Sequence, residues 1–319
     1  MNILVTGAAG FIGSALSRKL TDQGHTVIGL DNYNDYYDVQ LKKDRVAALI
    51  PDVEIVRGDF GDKQLLKKLF TEHVFDVVCH LGAMAGVRYS VDHPEEYIEN
   101  NLAKFVTLLE VMKDFKCKRI VFASSSSVYG NDTKAPFVEN AAAASPESVY
   151  GTTKRAGELL LHSYYSQYEI QSTSLRFFTV YGPWSRPDMA MLKFANKIQN
   201  GEPIEIYNNG DLRRDFTYID DIVAGFVLAV EKPLGYEVIN LGCGEPVQLT
   251  DYVHSIEQAL EKTTEHILLP MQIGDVYETY ADTKKARELL GFEATVSIED
   301  GIQQFVDWFS SYYSEKAVS

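Results

Sequence analysis

Ile3-Leu4-Val5-Thr6-Gly7-Ala8-Ala9-Gly10-Phe11-Ile12-Gly13 is the stretch on which the fold turns. Three successive apolar residues suit a short strand covered on both faces, and Ala15, Leu16 and Leu20 predict a helix running to Gly24. Between them, Gly7, Gly10 and Gly13 permit a tight turn and let the backbone come close to a ligand. Strand, glycine turn and helix in that order make a cradle for a dinucleotide pyrophosphate, whose charge meets the first amides of the helix around Phe11 and Ile12. The spacing is Gly-x-x-Gly-x-x-Gly, not the commoner Gly-x-Gly-x-x-Gly, and such a turn can also be purely structural.

Outward from the turn, Thr26 to Leu30 read as a second strand ending at Asp31. A carboxylate there accepts hydrogen bonds from ribose hydroxyls and repels a 2′-phosphate, and Asn32 supplies no cation to neutralise one, so NAD is expected over NADP. Alternation continues with a helix near 39–49, a strand at Val53 to Arg57, a helix at Asp62 to His73 and a strand at Phe75 to Leu81. That cadence predicts an α/β protein with a Rossmann-like, doubly wound parallel sheet. Asp59 and Phe60 after the third strand are expected beside the adenine. Leu81 and Ala83 after the fourth are expected along the cofactor, with His80 packed in the core. Leu102, Phe105, Val106, Leu109 and Met112 give a long helix from about 95 to 115 a core or subunit face.

The strand Arg119 to Ala123 opens into Ser124-Ser125-Ser126-Ser127-Val128-Tyr129-Gly130, which places hydroxyls at the carboxyl end of the sheet, where ligands bind. Tyr150-Gly151-Thr152-Thr153-Lys154 sets a phenol and an ammonium on one helix face. Lowering a tyrosine from about 10 to about 7 needs roughly 4 kcal/mol of preference for the phenolate, which a lysine and a cationic cofactor can supply together. By itself the spacing more often marks a solvated face than a catalytic pair.

The chain has 319 residues, 45% apolar and 24% charged, with 30 Lys and Arg against 45 Asp and Glu and a formal charge of -15. A field of that sign opposes nucleic acid or an anionic membrane as partner. Cys79, Cys117 and Cys243 lack metal or redox spacing, so reduced thiols, no metal and a cytoplasmic setting are expected. No signal peptide and no membrane span are expected. Past Phe178 the alternation weakens, which predicts a dinucleotide domain of residues 1–178, joined by 218–241, and a smaller mixed α/β substrate lobe of 179–217 and 242–319.

The glycine turn, Asp31, Asp59-Phe60, the serines before Tyr129, the Tyr150 and Lys154 pair and Arg214-Asp215-Phe216 together resemble the extended short-chain dehydrogenase/reductase family over essentially the whole chain. Arg176-Phe177-Phe178-Thr179-Val180-Tyr181-Gly182-Pro183-Trp184-Ser185-Arg186-Pro187-Asp188-Met189-Ala190 is most similar to its members that epimerise UDP-glucuronic acid at C4. The resemblance implies tightly bound NAD regenerated each turnover, Tyr150 as acid/base, Lys154 on the nicotinamide ribose, and Ser126 and Ser127 orienting the reacting hydroxyl. It further implies Ser127, Thr179 and Arg186 on the substrate carboxylate, and Arg214, Tyr207, Gln272 and Asp275 on the UDP. A homodimer and a place in surface polysaccharide synthesis are also implied. Ser127 stands where related decarboxylases carry glutamate. Alternatives are a 4-epimerase of UDP-glucose or UDP-N-acetylhexosamine, a UDP-glucuronate decarboxylase, and a non-catalytic NAD-binding regulator, which would need neither Tyr150 nor Lys154.

Overall fold

In the computed structural model, which describes residues 1–271 and 276–318, β1 (Asn2–Thr6) is an interior strand of a seven-stranded sheet. It pairs with β2 (Thr26–Asp31) and β4 (Val77–His80), and the same sheet holds β3 (Glu54–Arg57), β5 (Arg119–Ser125) and β6 (Gln171–Phe177). Four short strands follow in the chain: β7 (Thr179–Tyr181), β8 (Ile204–Ile206), β9 (Arg213–Tyr218) and β10 (Tyr236–Leu241). The sheet runs β3-β2-β1-β4-β5-β6-β10 with every pairing parallel. Chain progression reverses between β1 and β4, so the loops leaving them diverge and open a crevice at their carboxyl ends.

The apolar run of β1 follows from cover on both faces. Ile3 and Val5 enter a core with Leu16, Leu20, Phe226 and Phe305, while Leu4 enters another with Leu66, Phe70, Phe105 and Leu161. This is the two-residue alternation of a strand, and each such side chain contributes about 1.5–3 kcal/mol by leaving water. Helices Phe11–Asp22 and Ile219–Glu231 cover the first face, and Lys63–Glu72, Lys104–Asp114 and Val149–Tyr168 the second.

Two local expectations change. The helix foreseen over 95–115 is a short helix Pro94–Ile98, a π-helical turn Glu99–Ala103 and a helix Lys104–Asp114. Within the wide turn, Asn101 accepts from the Met84 amide at 2.9 Å and donates to Met84 O at 2.9 Å and Thr153 Oγ1 at 3.1 Å, so the irregularity ties the loop after β4 to the helix of Tyr150. Ser124 and Ser125 are the last residues of β5, not loop, because both pair with β6 through Arg176 and Phe177; only Ser126–Val128 turn, as a single 3-10 turn.

β9 organises the second lobe. It pairs with β7, with β11 (Pro246–Gln248) and with β13 (Glu278–Thr279), while β8 pairs with β12 (His266–Leu268). The final helix, Ile298–Val318, buries Ile302, Phe305, Val306 and Phe309 as its apolar spacing requires. No helix among the described residues is long and apolar enough to cross a membrane. Gln272 and Asp275, expected at the UDP, lie outside the described residues.

Candidate active site

The crevice is a cavity of about 360 Å³ that extends from the glycine turn, past the loop after β4, to Tyr150, Lys154 and Arg186. Gly7 has φ +72°, and a Cβ on it would stand 2.8 Å from the Gly82 amide nitrogen; a Cβ on Gly13 would stand 2.0 Å from Gly7 O. Glycine is therefore required at both positions by contact and, at Gly7, by backbone conformation. Gly10 begins the helix Phe11–Asp22 without any side-chain cap, which leaves the amides of its first turn, including Phe11 and Ile12, for an anion. Asp31, buried at the end of β2, accepts from the Ala9 amide at 3.0 Å and the Tyr33 amide at 2.8 Å, so its carboxylate is fixed at the rim of the turn. Asn32, Phe60, Leu81 and Ala83 line the same cavity.

Asp59 is held differently. Its oxygens accept from the Gly61 amide at 2.7 Å, Lys104 at 2.9 Å and Asn32 at 3.1 Å. Burial raises its carboxyl, but Lys104 and the two amides outweigh burial and keep it below the usual carboxylate range. His80 is a packed residue, as expected: Thr6 Oγ1 lies 2.7 Å from its Nδ1, Phe105 stacks on it with ring centroids 4.7 Å apart, and burial pushes its imidazolium well down. Thr6 Oγ1 also accepts from the Gly82 amide at 3.1 Å, joining the ends of β1 and β4 under the cofactor cradle.

Tyr150 and Lys154 are both buried in the cavity wall, with Lys154 Nζ 5.9 Å from the Tyr150 ring centroid and donating to Ala123 O at 2.7 Å. Burial raises the Tyr150 hydroxyl; the Ser125 hydroxyl and the Arg186 guanidinium act in the opposite sense without cancelling it. Burial pushes the Lys154 ammonium down to about 7, and Glu158 opposes the drop. Ser125 is thus the serine whose hydroxyl meets the phenol. Ser126 and Ser127 line the cavity beside it, and Ser125 Oγ accepts from the Ser127 amide at 3.2 Å.

Thr179 and Arg186 complete the far wall. Arg186 Nε and Nη2 donate to the two oxygens of Asp188 at 2.9 and 2.6 Å. Behind the serines, Glu158 accepts from Ser124 at 2.6 Å, which ties β5 to the helix of Lys154, and from Arg176 Nε and Nη2 at 2.8 Å each, a fully buried pair that ties β6 to the same helix. Tyr207 and Arg214 do not reach this wall. Tyr207 carries Arg88 over its ring at 5.3 Å, and Arg214 donates to the carbonyls of Arg213 and Tyr277; neither lines the cavity.

Residues 3–242 match the family described as NAD dependent epimerase/dehydratase. The chain belongs to that family. A Rhizobium meliloti protein named probable UDP-glucuronate 4-epimerase is 41% identical, the match covering 98% of either chain. UDP-glucuronate 4-epimerase 4 of Arabidopsis thaliana is 45% identical over 98% of this chain and 76% of its own. A crystal structure of UDP-glucuronic acid 4-epimerase from Bacillus cereus, in complex with UDP-glucuronic acid and NAD, is similar with a TM-score of 0.92 at 36% identity, covering 98% of this chain and 100% of that one.

This epimerase/dehydratase chain has a cradle that fits the dinucleotide by its own geometry: glycines where any Cβ would intrude, an uncapped helix start, and Asp31 beyond it. Lys42 and Arg45 were given no role by their sequence positions. Lys42 lines the cavity, donating to Asn34 O and Oδ1 at 2.7 Å each. Arg45 is fully buried and donates to Trp184 O at 2.8 Å, Ser185 O at 3.2 Å, Ala9 O at 3.4 Å and the Tyr37 hydroxyl at 2.6 Å, so it straps the glycine turn to the loop carrying Arg186. Their helix has little amphipathic pattern, so nothing in the spacing marks either cation as buried.

Proposed function

We propose that the chain interconverts UDP-glucuronic acid and UDP-galacturonic acid by inverting C4, without loss of C6 and with NAD held through every turnover. The observation that carries this reading is that one cavity joins the glycine cradle, the Tyr150 and Lys154 pair and Arg186. Names borne by the relatives support the same substrate.

Bound NAD supplies the acceptor of the C4 hydrogen and the donor that returns it to the opposite face. Tyr150 Oη takes the proton of the sugar O4 as C4 is oxidised and gives it back as C4 is reduced. Lys154 stabilises the phenolate and holds the nicotinamide ribose. Ser125, with Ser126 and Ser127, orients O4. Gly7, Gly10, Phe11, Ile12 and Gly13 cradle the pyrophosphate; Asp31 and Asn32 hold the adenine ribose, Phe60 and Asp59 the adenine side, and Leu81 and Ala83 the middle of the dinucleotide. Thr179, Ser127 and Arg186 receive the carboxylate. A guanidinium matches a planar anion, to which a neutral CH₂OH offers neither the charge nor the second acceptor.

Residues 179–217 and 242–319 form the substrate lobe in this reading, with 1–178 and 218–241 the dinucleotide domain. Tyr207, Arg214, Gln272 and Asp275 hold the UDP while the sugar turns over. The protein is cytoplasmic and works as a homodimer: Ile98 and Leu159, 47% and 52% exposed on neighbouring helices, supply apolar surface for a second copy. Incubating purified protein with UDP-glucuronate and no added NAD tests the reaction. Formation of UDP-galacturonate supports it; a UDP-pentose would indicate decarboxylation, and unchanged substrate would remove the proposal.

A further inference from the structure

Arg186 does not stand alone in the cavity wall. Asp188 occupies its side-on fork, Nε and Nη2, through both carboxylate oxygens. Asp188 Oδ2 also accepts from the hydroxyl of Tyr36 at 3.2 Å, a residue of the segment after β2 that lines the same cavity. Tyr36 has a fixed seat. A Cβ on Gly86 would stand 2.2 Å from its hydroxyl oxygen, and Tyr89 meets its ring edge-on with centroids 5.1 Å apart. Arg45 holds the backbone just before the arginine through the carbonyls of Trp184 and Ser185.

A guanidinium has two forks that accept a carboxylate in bidentate fashion. With the side-on fork taken by Asp188, the end-on fork of Nη1 and Nη2 is left for a second carboxylate: Arg186 lines the cavity, and its Nη1 makes no hydrogen bond among the described residues. An exposed ion pair would be worth about 0–1 kcal/mol and would orient little, but these side chains are only 21% and 26% exposed and doubly hydrogen-bonded.

Resting on the reading of Arg186 as the carboxylate ligand, we propose that Asp188 and Tyr36 are positioning residues that aim its end-on fork and thereby fix the plane of the substrate carboxylate. By fixing where that carboxylate sits relative to the ring, the arginine also sets the direction of the C5–C6 bond, which decides the fate of the oxidised sugar, a β-keto acid. If the C5–C6 bond stands perpendicular to the C4 carbonyl plane, it breaks, carbon dioxide leaves, its electron pair becomes the enolate across C5, C4 and O4, and a proton from water then adds at C5. A carboxylate held by an arginine that cannot swing keeps that bond out of alignment.

The test compares native protein with Asp188→Asn, Tyr36→Phe, Arg186→Ala and the Asp188→Asn/Arg186→Ala double variant, measuring kcat, KM and the fraction of UDP-pentose formed from UDP-glucuronate. Asp188→Asn is expected to lower kcat about tenfold or more, with a smaller change in KM, and to raise the pentose fraction. Tyr36→Phe should act in the same direction more weakly, and Asp188→Asn should add nothing to Arg186→Ala. Native kcat and native product ratio in Asp188→Asn, or full additivity in the double variant, overturns the proposal. If Asp188→Asn loses its melting transition, Tyr36→Phe decides, since it removes a single oxygen. Failure of native protein to make UDP-galacturonate would instead bring down the functional reading, and this proposal with it.

Discussion

Tyr150 sits in surroundings that by themselves disfavour its phenolate, because burial outweighs the Ser125 hydroxyl and Arg186. Positive charge from Lys154 and the nicotinamide must tip the balance. Lys154→Met keeps much of the stem and removes the charge; a lost cation raises the phenol pKa, so the acid limb of the pH–kcat profile should move to higher pH. Tyr150→Phe should reduce kcat by about 10²–10⁴-fold while leaving NAD bound, checked by turnover and by cofactor content, since the phenol oxygen contributes nothing to the glycine cradle. Arg186→Ala should depress kcat/KM for UDP-glucuronate far more than for UDP-glucose; equal losses would remove its carboxylate role. At this scale the sequence was informative where residue type is forced, as at Gly7, Gly13, Asp31, Tyr150 and Lys154. It was less so within the serine run: four identical side chains carry no mark of which one the strand end turns toward Tyr150, and the proximity of Ser125 comes from the β5 to β6 register. Nothing in the sequence joins Tyr36 to Asp188, since the two lie 152 residues apart in the chain.

Among the elements, the glycine turn and the helix Val149–Tyr168 are the least tolerant of change. Gly7→Ala would force a side chain into φ +72° and against the Gly82 amide, costing about 1–3 kcal/mol of strain beyond the clash, and should lower both melting temperature and bound NAD. Glu158→Gln would leave the fully buried Arg176 without its counter-charge, for a loss of about 3–5 kcal/mol measurable by urea unfolding. Regular alternation up to Phe178 made the sheet legible, because strands covered on both faces are apolar throughout and helices of the parallel crossover keep one apolar stripe. The π turn Glu99–Ala103 was not legible, since the residue it turns inward, Asn101, is polar and belongs to no apolar stripe whose spacing could show it. The substrate lobe was read only as irregular, its strands being two to six residues long and paired with partners distant in sequence.

For the whole molecule, residues from far apart in the chain close one cavity. Arg45 spans 139 residues to Trp184, and Tyr312 of the last helix reaches back to Asp44 at 2.5 Å. The apolar Ile98 and Leu159 predict a concentration-dependent dimer by sedimentation, and Leu159→Glu should shift the equilibrium toward monomer. The central claim is that the C4 hydrogen leaves, waits on NAD inside the protein and returns to the other face of the same sugar. Incubation of UDP-glucuronate carrying deuterium at C4 with the purified protein, followed by NMR, tests this directly. The account predicts UDP-galacturonate with the label retained at C4 and the carboxyl carbon in place. Wash-out of the label, or its loss with carbon dioxide, would contradict it.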